Sequence, residues 1–392
     1  MVPKEVAFLM FERLCFSLCF GLTILFPKML ITAGYDLTDY GSISSWSSLL
    51  AIISLLIYPL IQRFVGDKRI DFISGIGFVF ASIIAVYSWE NSSFSYTVGL
   101  IVYSIYVLSW VLHFTRGSIV LVSNTALSSR KQFLMLYATV SAAGICLGPI
   151  IGKNLLLYLD NYSLIFISIL FFSSLNLMTT FIRKRDFTVE NLALKPKVNL
   201  MGHLRGYLNS RSPIYVITIF ICITAYTGLI NFQIIYSELE SINSDWFYIF
   251  WFVGLILSRI LFGRFVAQVE NEILIYVSLS IYAIGTIGML FVVHSVILYM
   301  LVSTLLGVSF GVIYPVVQEE VIKKATEETK EFAQVCFSLA YFSALYFMPK
   351  LHSYLISEFG FEMFWTSLGA LLVCTLISLA LIHKFLASMS DK

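Results

Sequence analysis

The sequence predicts an all-α integral membrane protein in which twelve transmembrane helices form two six-helix bundles related by pseudo-twofold symmetry. Composition is the first reason. Of the 392 residues, 59% are hydrophobic and 12% are charged, and soluble domains carry about twice that charged share. The second reason is a series of twelve apolar runs, each close to the roughly 20 residues that a membrane span requires. The third is a repeat of local patterns at an offset near half the chain.

This composition excludes several classes of protein. A soluble enzyme or a secreted disulfide scaffold of this length cannot bury so many apolar side chains, and a disordered chain is far more polar. The strands of an outer-membrane barrel alternate apolar and polar residues, whereas these runs are unbroken. The chain therefore needs the lipid bilayer as its surroundings.

The apolar runs justify the helix count. In hydrocarbon every backbone polar group must be paired inside the protein, so each run must form a helix. An even number of spans places both termini on the same side of the membrane. The runs cover about 6–26, 42–62, 70–89, 96–121, 133–157, 162–182, 213–236, 245–267, 272–293, 296–317, 333–355 and 362–384.

The distribution of basic residues predicts which side that is. With a cytoplasmic N-terminus, 19 of the 25 lysines and arginines fall in cytoplasmic segments and none in the external loops proper, as the positive-inside rule requires. Trp46, Trp89, Trp246 and Trp365 lie near the outer helix ends, where an aromatic belt is expected. We therefore expect a multi-pass protein of the cell membrane (inner or plasma membrane) with both termini in the cytoplasm.

The longest polar stretch, 183–212, divides the helices six and six. It predicts a cytoplasmic linker between an N-terminal bundle, 1–182, and a C-terminal bundle, 213–392. The halves resemble each other, since 60–66 reads LIQRFVG and 261–267 reads LFGRFVA, 201 residues later. Parallel six-helix repeats place a substrate site near the bilayer midplane.

A basic motif follows the second predicted helix. It contains Arg63, Lys68 and Arg69 around a glycine, and it resembles the cytoplasmic loop motif of the major facilitator superfamily, although Gln62 stands where that family has Asp. The resemblance to this family extends over essentially the whole chain. It implies a cytoplasmic gate in which the basic groups pair with acidic groups or helix ends opposite. The alternative is a positive-inside anchor.

A second copy of the loop motif lies in helix 8 and its exit. Gly254, Ser258 and Gly263 offer small faces for close helix contact, and Arg259 and Arg264 are its basic residues. We class both arginines as gate candidates. Arg259 lies inside the helix, where an unpaired charge is expensive, so it needs a partner. Structural pairing with a neighbouring helix is favoured over contact with substrate.

Helix 5 carries Gly144, Gly148, Pro149 and Gly152, which resemble the family's antiporter motif, G-x-x-x-G-P-x-x-G. Glycines four apart let another helix approach closely, and the proline removes a backbone bond and permits a kink. The resemblance implies export in exchange for protons. Lys153 replaces the motif's usual second glycine, and a packing role without directional meaning is the alternative.

Polar residues on two helices are candidates for a substrate cavity. Helix 10 is similar to the family's tenth helix, which lines the central cavity, and its Tyr314 and Gln318 are four apart on one face. Tyr226 and Asn231 in helix 7 are the other candidates. Hydrogen bonds between helices are the alternative use of these side chains.

Ionisable groups inside spans are functional candidates by default. Glu12 is expected to be the only acidic residue clearly within a span, and Arg116 lies at a compatible depth in helix 4, with His113 three residues before it. Arg116 also resembles the family's helix-4 arginine, which is linked to proton coupling. We interpret the three as proton-coupling candidates. In the alternative, Glu12 pairs with Arg13 at a helix end where both side chains reach towards the interface.

The resemblance implies a secondary active transporter. We expect it to export a siderophore, another metallophore or a drug-like compound by proton antiport and alternating access. Its partners would be that small molecule, protons and the lipid bilayer, with the chain acting as a monomer. The sequence contains no phosphate-binding loop, nucleophile elbow, metal-ligand cluster or basic stripe, so we expect no enzymatic activity, cofactor, metal or nucleic acid.

Three alternatives stay open at this point. One is import of a metabolite or amino acid by a member of the same superfamily. Another is a membrane scaffold or receptor that transports nothing, and a third is a lipid flippase. The helix-5 motif favours export over import, and the short loops offer little surface for a receptor.

Overall fold

The computed structural model of the protein describes residues 4–123, 127–159, 161–182, 205–261, 268–326 and 328–390, and regular structure in these ranges is helical, without a strand. The chain divides into two compact units. The first consists of Met1–Lys195 with Pro349–Ser353, and the second of Pro196–Met348 with Tyr354–Lys392. The division falls inside the predicted linker, whose residues 183–204 lie outside the described ranges.

In the first unit, the six predicted spans appear as eight described helices. They are α1 (Lys4–Thr23), α2 (Phe26–Thr32), α3 (Leu37–Leu56), α4 (Tyr58–Val65), α5 (Asp67–Glu90), α6 (Tyr96–Ser123), α7 (Leu127–Leu159) and α8 (Ser163–Ile182). Two spans are interrupted at prolines. The amides of Ile24 and Leu25 bond three residues back. Pro27 follows, and it has no N–H for the Thr23 carbonyl and a ring that would clash with that carbonyl in a continuous α-helix. α4 likewise starts with Pro59 in its first turn.

In the second unit, the described helices are α9 (Ser212–Leu239), α10 (Asp245–Ile256), α11 (Asn271–Gly288), α12 (Val296–Lys324) and α13 (Lys330–Ser390). α10 continues as a π-helical turn, Leu257–Leu261. α13 is broken at Gly360, whose φ of 76° lies in the left-handed region that glycine adopts without a Cβ clash. Two of the predicted runs, 333–355 and 362–384, lie on either side of that break.

Nine helical segments in the described ranges are long and apolar enough to cross a membrane by length and composition. The last of them, Phe332–Phe385, contains two predicted spans. Two further spans fall below that limit, because α3 begins with a serine-rich stretch and α10 has only 12 α-helical residues before its π-helical turn. Each of the twelve predicted runs therefore overlaps a helix, and the prediction of an all-helical membrane protein with twelve helices is confirmed.

Helices α10 and α12 of the second unit touch through their backbones. A Cβ built on Gly254 would lie 2.9 Å from the Val308 nitrogen, and one on Gly307 would lie 3.1 Å from the Leu255 nitrogen. No larger side chain fits at such distances. Small residues make the close approach possible, as in other helix pairs within membranes.

Candidate functional site

Five ionisable side chains cluster in the interior of the first unit. α1 contributes two of them, α5 one and α6 two, and each has at most 2% of its surface exposed. They are Glu12, Arg13, Asp71, His113 and Arg116. Charge is costly in an apolar interior, so the partners of these side chains decide what they can do chemically.

Arg116 joins two carboxylates. Its Nη1 forms an ion pair with Asp71 Oδ2 and lies 3.9 Å from Glu12 Oε2. The structure thus brings Glu12 and Arg116 together at the compatible depth expected from the sequence. The nearer carboxylate, however, belongs to Asp71, and the part of the pair in proton coupling stays a prediction.

Asp71 was missed by the sequence analysis. The expectation that Glu12 is the only acidic residue within a span is wrong, because Asp71 is fully buried. α5 begins at Asp67, before the predicted start at 70, so the aspartate lies in the second helical turn and not at its entrance. The available signal was an acidic residue flanked by Ile70, Phe72 and Ile73.

His113 completes the cluster on the α6 side. Its Nδ1 lies 3.2 Å from Asp71 Oδ1, so the tautomer that carries the proton on Nδ1 donates a hydrogen bond to that carboxylate. Its ring stacks on Phe16 of α1, with 3.8 Å between centroids. Nε2 is buried and has no hydrogen-bond partner among the described residues. In that tautomer Nε2 is a bare proton acceptor.

Arg13 does not reach towards the interface. Its guanidinium carbon lies 4.8, 4.2 and 4.9 Å from the ring centroids of Trp110, Phe114 and Tyr137, and the side chain is 2% exposed. The alternative that paired Glu12 with Arg13 at an exposed helix end is therefore wrong. Ring faces attract a cation and take the place of a carboxylate here.

The glycine motif of α7 packs against α1. A Cβ built on Gly144 would lie 2.5 Å from Ser17 Cβ, and one on Gly148 would meet the backbone of Gly21. A Cβ on Gly152 would meet the Leu25 side chain. Pro149 lies inside α7 without ending it. The spacing therefore serves close contact with one helix, and its part in export stays a prediction.

The predicted gate residues fall mostly outside what the structure describes. Arg264 lies outside the described ranges, and the side chains of Arg63 and Lys68 are not described either. Arg69 is exposed at the start of α5. The gate stays a prediction.

Arg259 lies in the π-helical turn of the second unit, with 8% of its surface exposed. Its Nε donates to the Gly311 carbonyl oxygen of α12 over 3.5 Å, and its Nη1 is buried without a hydrogen-bond partner in the described part of the chain. The structural pairing favoured by the sequence analysis is thus limited to one long contact with a backbone oxygen.

Two of the cavity candidates lie near that arginine. The hydroxyls of Tyr226, Tyr314 and Tyr341 interact with Arg259 electrostatically. Tyr226 stacks on Phe310 with 4.3 Å between ring centroids and 9° between planes, and Tyr314 meets Tyr341 edge-on at 5.6 Å. Phe310 lies 6.2 Å from Tyr314 between ring centroids, so the structure places Tyr226 and Tyr314 in one aromatic group.

The other two cavity candidates make hydrogen bonds within their own unit. Asn231 Nδ2 donates to Thr227 Oγ1 over 2.8 Å, and that hydroxyl donates to the Leu345 carbonyl oxygen. Gln318 Nε2 donates to Gln334 Oε1 over 3.4 Å. These contacts correspond to the alternative use of the two residues, as interhelical polar contacts.

The second unit does contain a buried carboxylate, but it lies at the end of α12. Glu320 is 1% exposed. It accepts a hydrogen bond from Asn271 Nδ2 over 2.8 Å and lies 3.6 Å from the ammonium groups of Lys323 and Lys324. Its charge is already compensated by two cations.

Within the described ranges, no group of three or more His, Cys, Asp or Glu side chains has the arrangement of a metal site.

Comparisons with known protein families and solved structures identify the fold. The model of the Major Facilitator Superfamily matches residues 9–334, which is more than half of the chain. No curated protein sequence matches. Among solved structures, the chain is similar to the human organic anion transporter MFSD10 (TETRAN), with a TM-score of 0.71 and 13% identity over 96% of this chain and 99% of that one. It is also similar to a point mutant of the nucleoside transporter NupG, with a TM-score of 0.72 and 13% identity over 96% of this chain and 98% of that one.

Proposed function

We propose that this chain, which belongs to the Major Facilitator Superfamily, exports a small organic molecule in exchange for protons by alternating access. Members of this family are secondary transporters of small molecules and not enzymes. The finer parts of the proposal are the direction of transport, the coupling ion and the chemistry of the substrate.

The buried cluster of the first unit is the observation that carries proton coupling. Arg116 is held by two carboxylates, Asp71 and Glu12, and His113 holds Asp71 from the other side. Adding a proton to one carboxylate changes the net charge of the cluster by one unit in an apolar interior, where charge is poorly screened. Such a change alters which partners Arg116 favours, and so it biases the packing of α1, α5 and α6.

The helix that carries Glu12 also packs against the glycine motif. α1 contacts α7 through Gly21 and Gly148, so a proton-dependent shift of α1 acts directly on α7. Cores and helix contacts packed this closely respond by discrete rearrangement more than by gradual deformation. This supports an antiporter role for the motif.

The remaining parts of the proposal come from the sequence. The distribution of basic residues supports a cell-membrane protein with cytoplasmic termini, and 183–212 is proposed as the cytoplasmic linker between bundles 1–182 and 213–392. The substrate is proposed to be a siderophore, another metallophore or a drug-like compound, and the chain to act as a monomer. Import of a metabolite is the second candidate, because the same cluster can drive symport.

Inside-out proteoliposomes with an acidic interior test the proposal. The probes are a catecholate siderophore, a hydroxamate siderophore and ethidium, with interior pH followed by a trapped dye. Export predicts that at least one probe accumulates and that the interior becomes more alkaline as it enters. An importer would not fill such vesicles.

Glu12→Gln tests the coupling site in the same vesicles. It removes the titratable group and keeps size and hydrogen bonding, so we expect loss of gradient-driven accumulation while downhill exchange persists. Glu362→Gln, at an exposed glutamate of α13, is the matched control and should behave as wild type. Unchanged gradient dependence in Glu12→Gln would falsify the assignment of Glu12 as proton carrier.

A further inference from the structure

We propose that Arg259 binds an anionic group of the transported molecule, so that the substrate is an organic anion with an aromatic or otherwise apolar body. This inference rests on the proposed function only where it says that the bound molecule is transported. The binding site stands on the second unit alone.

The first step is the absence of a counter-charge. Arg259 is 8% exposed, and no carboxylate of the described residues lies within ion-pair distance of it. The buried carboxylate of its unit, Glu320, is held by Lys323 and Lys324. The hydrogen bond to the Gly311 carbonyl oxygen is 3.5 Å long, and Nη1 has no partner in the described ranges.

The second step is the cost of that arrangement. Arg259 lies 14 residues after the start of α10 at Asp245, about 21 Å along a helix at 1.5 Å per residue, and the hydrocarbon core is about 30 Å thick. A buried cation without an anion is strongly unfavourable. Charged groups inside membrane spans pair with one another or with backbone carbonyls, and they mark the pathways of substrates and ions.

The buried arginines of the first unit show what compensation looks like in this protein. Arg116 has two carboxylates, and Arg13 lies over three aromatic rings. In the part of the chain that is described, Arg259 has no carboxylate within ion-pair distance and does not lie over the face of an aromatic ring. The described surroundings of Arg259 therefore lack the charge compensation that Arg116 and Arg13 have.

The third step is the set of donors around the guanidinium. Tyr226 of α9, Tyr314 of α12 and Tyr341 of α13 bring their hydroxyls into electrostatic range of Arg259. A phenol donates one hydrogen bond, and a guanidinium donates up to five in a planar fork that matches a carboxylate, sulfonate or phosphate. Arg259 and the three tyrosines near it thus come from four segments of the chain.

The fourth step concerns the uncharged part of the ligand. Tyr226 stacks on Phe310, and Trp251 lies 5.8 Å from both rings, measured between centroids. Phe310 also lies 6.2 Å from Tyr314. Small-molecule sites combine largely apolar and aromatic walls with few polar groups that fix orientation. Tyr226, Trp251 and Phe310 are themselves buried, so the partly exposed Tyr314 and Tyr341 are the rings of this group that are available to a flat, apolar body.

The π-helical turn is a further feature of the position. It covers Leu257–Leu261 and has Arg259 at its centre. Single π-helical turns are rare within helices and occur frequently at functional sites. Arg259 therefore lies in a kind of turn that is frequent at functional sites.

Calorimetric titration of the purified protein in detergent tests the binding site. The probes are 2-naphthoate, 2-naphthalenesulfonate and the uncharged 2-naphthamide. We expect the two anions to bind, the amide to bind at least about tenfold more weakly, and Arg259→Gln to weaken the anions about tenfold or more. Arg211→Gln, at an exposed arginine at the start of α9, should leave all three affinities unchanged.

Tyr314→Phe is a second variant that keeps the test open if Arg259→Gln does not fold. It removes one hydroxyl and should weaken 2-naphthoate several-fold without changing 2-naphthamide. The inference is overturned if no anion probe binds, if the amide binds as tightly as the acid, or if neither variant changes the affinity for 2-naphthoate.

Transport of a bound probe separates this inference from the proposed function. If one proton enters for each monoanion that leaves, two positive charges enter in each cycle, and a potassium diffusion potential should drive the exchange. Binding that depends on Arg259 without accumulation in acidic vesicles would leave the anion site standing and reject proton-coupled export. Accumulation of 2-naphthamide or ethidium, but of neither anion, would support proton-coupled export and reject the anion site.

Discussion

The interiors of the two units treat buried charge differently. In the first unit, Arg116 is shared by Asp71 and Glu12, and Arg13 lies among aromatic rings. In the second, Arg259 makes one long hydrogen bond to a backbone carbonyl and has no carboxylate within ion-pair distance among the described residues. The first unit thus contains its own counter-charges and can respond to a proton, whereas the second offers a cation that an external anion can complete.

In another respect the two units are alike. Each contains a pair of helices in backbone contact through glycines, α1 with α7 through Gly21 and Gly148, and α10 with α12 through Gly254 and Gly307. Close packing is therefore common to both, and charge is where they differ. The proposed coupling cluster and the proposed anion site therefore lie in different halves of the chain.

The same substitution in each unit gives the largest expected contrast. Arg116→Met leaves two buried carboxylates without their cation, and we expect it to lower the free energy of unfolding by about 3–5 kcal/mol. Arg259→Met removes a cation without an anionic partner, so stability in detergent should stay equal or rise. Unfolding followed by circular dichroism measures both. An equal loss in the two variants would remove the distinction between the units.

A second experiment sharpens the assignment within the first unit. Asp71→Asn keeps size and removes the charge nearest to Arg116, so we expect a loss of about 1.5–3 kcal/mol, as for other hydrogen bonds to charged groups. Asp36→Asn makes the same chemical change at the exposed N-cap of α3, where Asn caps a helix about as well as Asp, and should stay within about 0.5 kcal/mol of wild type. Similar effects at both positions would show that the pair with Asp71 contributes little.

The shared feature of the units predicts equal sensitivity at their glycines. Gly148→Ala and Gly307→Ala each insert a methyl group into backbone contact, and overpacking of this kind costs about 1–3 kcal/mol. Gly99→Ala is the control, because a Cβ there has its nearest neighbour at 3.5 Å. We expect it to be tolerated. Unfolding midpoints of the three variants decide the matter, and tolerance at Gly148 would count against close packing of α1 on α7.

The smallest expected effect concerns the ring-held cation. Arg13→Lys keeps the charge and loses the planar guanidinium that lies among Trp110, Phe114 and Tyr137, so we expect a loss of about 0.5–2 kcal/mol. The exposed Arg69→Lys is the control. Thermal unfolding in detergent measures both variants. Equal changes in the unfolding midpoint would mean that the aromatic rings around Arg13 add nothing to the stability of the protein through its guanidinium.

The sequence predicts best those features that depend on residues close together in the chain. The twelve runs and the breaks near Pro27 and Pro59 follow from residues adjacent in the chain, and all of them were accessible without coordinates. The proximity of Glu12 to Arg116 was accessible because the two share a depth and the family resemblance suggests neighbouring helices. The alternative role of Arg13 was wrong, because a position near a helix end does not reveal which rings surround it.

By itself, the sequence determined that this is a helical membrane protein with twelve helices and roughly which residues form each of them, since hydrocarbon forces every apolar run to pair its own backbone. Only the tertiary structure decided which charges meet. Asp71 reaches Arg116 from another helix, 45 positions earlier in the chain, and Arg259 meets no carboxylate in the described ranges. Such partners are set by how helices distant in sequence pack together, and local composition carries no record of that packing.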